Sequence, residues 1–151
     1  MDNQNDRLTP DDIAHTCIAL RLRLLNRVVT NLYDEALRSL DLKISQLNLL
    51  VVAAKLGLAQ PAKVCQILQL DTSTLSRNVE RMRAKGWLET VPGEDARTQP
   101  FRLTPQGKKL LARAGPAWER AQRKATIILG DDGISVIDKA ASKLGFPCAG
   151  S

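Results

Sequence analysis

The chain has one histidine and three cysteines in 151 residues. It has no G-x-S-x-G turn, no glycine-rich phosphate loop and no Cys/His pair at zinc spacing. Catalysis needs a nucleophile beside a base, or clustered metal ligands. Neither is spelled out, so an enzyme is not expected and no cofactor or metal is called for. No run approaches the ~20 apolar residues of a membrane span, so no membrane partner is expected. The opening MDNQNDRLTP lacks the apolar centre of an export signal. Cys17, Cys65 and Cys148 show no paired spacing, which argues against a disulfide scaffold and fits a reducing, cytoplasmic setting. Repeats and low-complexity linkers are also missing.

What is present is a 44% hydrophobic chain of one-domain size carrying a net charge of +6. The charge is uneven. Residues 1–41 hold 5 basic and 7 acidic side chains, residues 42–107 hold 9 and 5, and residues 108–151 hold 8 and 4. A basic middle and C-terminal part points to a polyanion. By itself it fits a merely basic solvated surface equally well.

Caps and periodicity divide the chain. Thr9, Pro10 and two aspartates open a helix whose apolar stripe Ile13, Cys17, Leu20, Leu24, Val28 predicts one long element to about Leu40. Such a length calls for a second subunit. Ser45 is the expected cap of SQLNLLVVAAKLG, and Gly57 its stop. Pro61 opens a short helix. Asp71 caps another, in which Leu75, Val79 and Met82 form the inner side. Ser73, Arg77 and Glu80 form the outer side of that helix, flanked by Ser76 and Arg81.

Two strands are expected at 87–91 and 101–103, with Pro100 restricting the second to an edge or a loosely paired tip. Thr104 and Pro105 start the next helix, which Gly115-Pro116 should break or kink. A further helical segment should end at the turn GDDG (130–133), and a last helix at Gly145. The expected organisation is residues 1–40 and 108–151 as flanking dimerisation helices around a lobe at 41–107.

The outer side of the Asp71-capped helix carries the functional argument. Short hydroxyls at Thr72, Ser73, Thr74 and Ser76 allow close backbone approach to phosphates, and a helix N-terminus favours phosphate. Arg77 can reach guanine O6 and N7 or a phosphate, with Arg81 a turn further on. A polar helix face that only meets water is the competing reading.

The chain resembles the MarR family of transcriptional regulators over residues 10–145. The resemblance is carried by LYDEALRSLDLKISQLNLL (32–50), LQLDTSTLSRNVERMRAKGWLE (68–89) and GEDARTQPFRLTPQGKKLL (93–111). It implies a mainly α fold with a small β-wing, a winged helix-turn-helix with N- and C-terminal dimerisation helices. It further implies a homodimer on double-stranded DNA at a pseudo-palindromic operator. In that family the wing arginine enters the minor groove. Carried over, Arg97 does so, with Asp95 orienting it and Thr98 beside it. Ala96 and Gln99 depart from the family's more basic wing. The expected function is a sequence-specific repressor released by a small-molecule effector or by thiol oxidation. A winged helix that binds only protein is the alternative.

For the release step, Cys17 with Arg21 one turn on is a candidate sensor, and equally a core residue of an apolar stripe. Cys148 is a candidate resolving thiol. Arg21, Arg23 and Trp118 are candidate effector contacts, Trp118 being as readily a packing residue. A metalloid effector held across a dimer stays open.

Overall fold

The computed structural model describes residues 8–93 and 99–145. The helices are α1 (Pro10–Thr16), α2 (Ile18–Leu37), α3 (Ile44–Leu56), α4 (Pro61–Leu68), α5 (Thr72–Ala84) and α6 (Pro105–Lys143). A 3-10 turn, Arg38–Leu40, follows α2, and strands β1 (Leu88–Thr90) and β2 (Phe101–Leu103) separate α5 from α6.

The single helix expected up to Leu40 is two. Cys17 has ψ 109, outside helical range, and its Sγ accepts the Leu20 N–H at 3.4 Å, starting α2 afresh. Thr9 closes a capping box with Asp12 at the head of α1, and hydrogen bonding from Thr9 holds the Asp12 carboxyl below its usual pKa. No residue of α1 is buried.

The expected Ser45 cap is also displaced. Helix α3 begins at Ile44, whose N–H is taken by Asp34 Oδ1 of α2 at 2.8 Å. Asp34 also pairs with Lys43 at 3.3 Å. The N-cap is Lys43, whose N–H is accepted by Gln46 Oε1 at 3.0 Å, and Asp34 adds a bond from ten residues upstream that ties α2 to the entry of α3. Gly57 (φ 69) stops α3 as expected.

The wing strands pair antiparallel, Leu88 with Leu103 and Thr90 with Phe101. The second strand is an edge of this two-stranded sheet, as the reading of Pro100 expected, but its first residue is bridged on the outer side as well. Phe101 exchanges both backbone hydrogen bonds with Ala59, at 2.8 and 3.1 Å, on the side away from β1. Pro100 lies one residue before the ladder, so its missing N–H costs nothing, and its carbonyl accepts from Val91 at 2.8 Å.

Of the break or kink expected at Gly115-Pro116, the break does not occur, because α6 runs through with Pro116 inside the helix. Pro116 faces solvent, where a carbonyl freed from the helix ladder can be hydrated. The interruption lies at Gly130 (φ 68, ψ 165), and Asp131 to Gly133 are already helical again.

Leu37, Leu50, Val64, Leu75, Met82 and Phe101 sit at the centre of the lobe, each almost fully buried. At about 1.5–3 kcal/mol for each fully buried large side chain, they hold α3, α4, α5 and the wing together. Beyond the lobe, α2 and α6 pack side by side. Ala117, Ala121 and Ala125 recur every four residues, are buried, and let the two helices approach closely. Tyr33 donates its hydroxyl proton to Gln122 across this seam, and partial burial raises the tyrosine pKa. No described helix is long and apolar enough to cross a membrane.

Candidate nucleic-acid interface

Local sequence fixes the start of α5. Gln69 takes the left-handed conformation (φ 51), which turns the chain out of α4. Asp71 then stays extended and receives three hydrogen bonds: Thr74 N–H at 2.8 Å, Ser73 Oγ at 2.6 Å and Thr74 Oγ1 at 2.7 Å. Those donors stabilise the carboxylate and push its pKa far below the ordinary aspartate value.

The buried side of α5 is Leu75 and Met82, with Val79 half-buried beside them. Thr72, Ser73, Ser76, Arg77 and Arg81 are all exposed, and Thr74 is half-buried. Arg77 Nη2 is 3.5 Å from Thr74 Oγ1, and Arg81 has no ion pair among the described residues. Five of the predicted contact residues thus share one open helix surface, and the sixth lies at its border. Glu80 on the same helix is occupied by Arg83 at 3.1 Å.

Asp95, Arg97 and Thr98 lie outside the described residues. The strands on either side of them are tied together. Glu89 of β1 and Arg102 of β2 pair across the strands at 2.6 Å, both partly exposed. Arg102 is a further surface cation of the wing that pattern reading missed, because a lone arginine in a three-residue strand carries no periodic signal. Lys85 was missed as well. It follows α5 directly and bonds Asp41 behind the helix.

The effector candidates do not converge. Cys17 is half-buried at the α1–α2 junction. Arg21 donates to the His15 carbonyl, bridging that junction rather than approaching the thiol. Trp118 is 41% exposed and lines a separate cleft of about 370 Å³ with Leu47, Asn48, Val51 and Leu111. Neither Arg21 nor Arg23 lines that cleft. Cys148 lies outside the described residues. No cluster of three potential metal ligands occurs among the described residues.

Residues 47–107 match a family model described as a winged helix DNA-binding domain. Over 85 residues the chain is 29% identical to the multiple antibiotic resistance protein MarR of Salmonella typhimurium, covering 56% of this chain and 59% of that protein. The corresponding Escherichia coli protein is 28% identical over 87 residues, covering 57% of this chain and 60% of that one. The matches thus span about 60% of those relatives' length. Among solved structures, a mutant of Escherichia coli MarR complexed with operator DNA superposes with a TM-score of 0.77 at 21% identity, covering 87% of this chain and 96% of that one. At that identity the likeness is one of fold. A Mycobacterium tuberculosis transcriptional regulator, MOSR, in complex with DNA gives 0.70 at 28% identity, covering 85% and 98%.

Proposed function

We propose that the chain is a MarR-type winged helix-turn-helix protein, a dimeric repressor that binds an operator through α5 and the wing, a reading supported by the winged helix match over residues 47–107 and by the likeness to MarR and MOSR. One observation carries this reading: α5 buries Leu75 and Met82 and leaves Thr72, Ser73, Ser76, Arg77 and Arg81 open on the same helix. A helix of this width fits the major groove, where Arg77 reads base edges and Arg81 meets phosphate. The Asp71 carboxylate places negative charge at the N-terminus of α5, so phosphate contacts fall to the arginines and hydroxyls rather than to the helix end. Arg97, oriented by Asp95 with Thr98 beside it, reaches the minor groove from the wing.

Residues 41–107 form the DNA-binding lobe, and the flanking helices join two copies. The support for a dimer is apolar surface. Ile18, Leu22 and Leu24 on α2 and Ile127, Ile128 and Val136 on α6 are each at least 56% exposed in the single chain. Two lobes related by a twofold axis then meet half-sites about 34–36 Å apart. Binding over a promoter blocks transcription, in the cytoplasm. Release follows when a small ligand, or oxidation at Cys17, changes the separation of the two α5 helices.

The test is a gel shift on the DNA flanking the chain's own gene, repeated across salt concentrations. A phosphate-contacting dimer loses affinity steeply as salt rises. The absence of any shift at low salt overturns the proposal in favour of a winged helix that binds only protein.

A further inference from the structure

The charge of the C-terminal third is concentrated on one side of α6. Residues 105–129 carry six basic side chains and a single acidic one, Glu119. Lys109, Arg113, Arg120 and Lys124 follow one another at spacings of four, seven and four residues. At about 3.6 residues per turn they fall within about 60° of the helix surface and extend along about 22 Å of it. Glu119 lies outside that arc. All four cations are exposed, and none has an ion pair among the described residues. Gln122, which bonds Tyr33 of α2, projects about half a turn round from them, so α2 leaves this side open.

Folding does not explain the arrangement. Lys109 with Arg113, and Arg120 with Lys124, are like charges four residues apart, which weakens a helix rather than supporting it. A local rule broken with no compensating contact in the fold points to a partner. That partner is an extended anion, because a small one would meet one pair of cations and leave the other. Phosphates recur about every 3.4 Å of axis along each strand of duplex DNA, so the stripe runs beside about six of them. Other polyanions fit less well. Single strands are held by stacking on aromatic rings, and the stripe has none, since Trp118 lines the cleft beside α3 instead. A lipid surface needs an apolar face beside the cations, and Ala114, Ala117 and Ala121 are buried within the protein.

The stripe is remote from the base-reading end of α5. Gly107 is packed against the Trp87 carbonyl, just past the C-terminal end of α5 at Ala84, so α6 departs from that end. Thr72 stands at the other end of α5, twelve residues and about 18 Å away. Along α6 the stripe stops at Ile127, where the apolar surface assigned to the dimer begins. We infer that Lys109, Arg113, Arg120 and Lys124 form a second, sequence-independent site for the backbone of duplex DNA, separate from the operator held by α5 and the wing. The chain then holds two duplex segments at once and bridges them. This goes beyond the operator reading.

The test uses the full-length variant K109Q/R113Q/R120Q/K124Q and two differently labelled duplexes, a short operator fragment and an unrelated sequence of equal length. Saturated with the operator fragment at low salt, the parent chain is expected to capture the unrelated duplex. The affinity of that capture should fall with salt at a log–log slope of about −3 to −4, as four phosphate contacts require. The variant is expected to bind the operator fragment within about twofold of the parent and to capture the unrelated duplex at least about tenfold more weakly. It should melt no lower than the parent, since repulsion within α6 has been removed. A parent chain that captures no second duplex overturns the inference, as does capture that survives in the variant. If the folded variant loses operator affinity to the same degree, the stripe belongs to the operator contact and a separate site is ruled out. Polyglutamate that displaces the unrelated duplex as well as unlabelled duplex does would show a general anion surface and overturn the inference too. If the parent binds no operator fragment, the operator reading fails by itself. Unrelated duplex bound by the parent and lost in the variant then still supports the stripe. Should the quadruple variant fold poorly, R113Q/R120Q replaces it, with about half the change in slope expected and an unchanged slope overturning the inference.

Discussion

Lys85 is joined to Asp41 across forty-four residues of sequence: Nζ stands 2.6 Å from Asp41 Oδ2 and 3.0 Å from its carbonyl oxygen. The same ammonium lies 4.5 Å from the centre of the Trp87 ring. The end of α5 is thereby pinned to the left-handed corner after α2, at Asp41 (φ 50). Because Asp41 is 88% exposed, the ion pair itself is weak. A double-mutant cycle of K85A and D41N by urea unfolding should give a coupling of about 0.2–1 kcal/mol, shrinking as salt is added. A coupling well above that range would show that this pair is not weakened by its exposure.

Gly107 should tolerate no side chain. A Cβ there would sit 2.1 Å from the Trp87 carbonyl oxygen, a backbone atom with no freedom to swing away. Gly107→Ala therefore forces α6 off the wing. We expect a loss of at least 1–3 kcal/mol, the usual range for overpacking, despite alanine's better helix propensity. Thermal or urea denaturation measures it directly.

The Asp71 carboxyl titrates far below an ordinary aspartate because Ser73, Thr74 and a helix amide all donate to it. A depressed folded-state pKa means that its stabilising contribution is complete above the unfolded value of about 3.9. That contribution is lost as pH falls toward the folded-state value. Asp71→Ala should therefore melt lower than the parent chain at pH 7, with the gap narrowing as the solution is acidified below pH 4. A gap independent of pH would mean that the carboxylate does not cap α5.

Arg77→Ala should flatten base preference at one operator position, with a loss of about 1–3 kcal/mol in binding. Arg97→Ala should weaken binding chiefly where A·T-rich sequence flanks the half-sites. Competition binding with single-base operator variants separates the two. An unchanged preference in Arg77→Ala removes its base-reading role.

Cys17→Ser should bind operator as the parent does and resist release by peroxide. Release that persists in the variant assigns the sensing step elsewhere.

Much of this architecture was legible because the signals were local. Asp71 before its helix, Thr104-Pro105 and Gly57 each act within four residues of where they stand. The misreadings share a different cause. The apolar stripe Ile13, Cys17, Leu20 keeps its spacing across the break, so periodicity gave no sign that Cys17 caps a new helix with its sulfur. The start of α3 is helped by Asp34 on another helix, a contact that only tertiary structure brings about, as it does the extra bridge from Ala59 to Phe101 of β2. Pro116 was read as a break because proline usually is one, yet solvent on its side of α6 lets the helix continue. On the candidate interface, the open hydroxyls and arginines of α5 were legible from their spacing along the helix. Arg102 and Lys85 were missed because their positions follow from strand pairing and from a corner outside their own elements.

The bonding of Phe101 to Ala59 on one side and of Val91 to Pro100 on the other has a consequence for how such chains diversify. The segment between Val91 and Pro100 is clamped at its root by a 2.8 Å hydrogen bond, so its length is decoupled from the stability of the lobe. Doubling a loop closed in this way costs only about 0.6 kcal/mol of closure entropy. Lengthened, shortened or recharged tips can therefore be grafted onto one unchanged frame, and new operator preferences can arise without the fold being renegotiated.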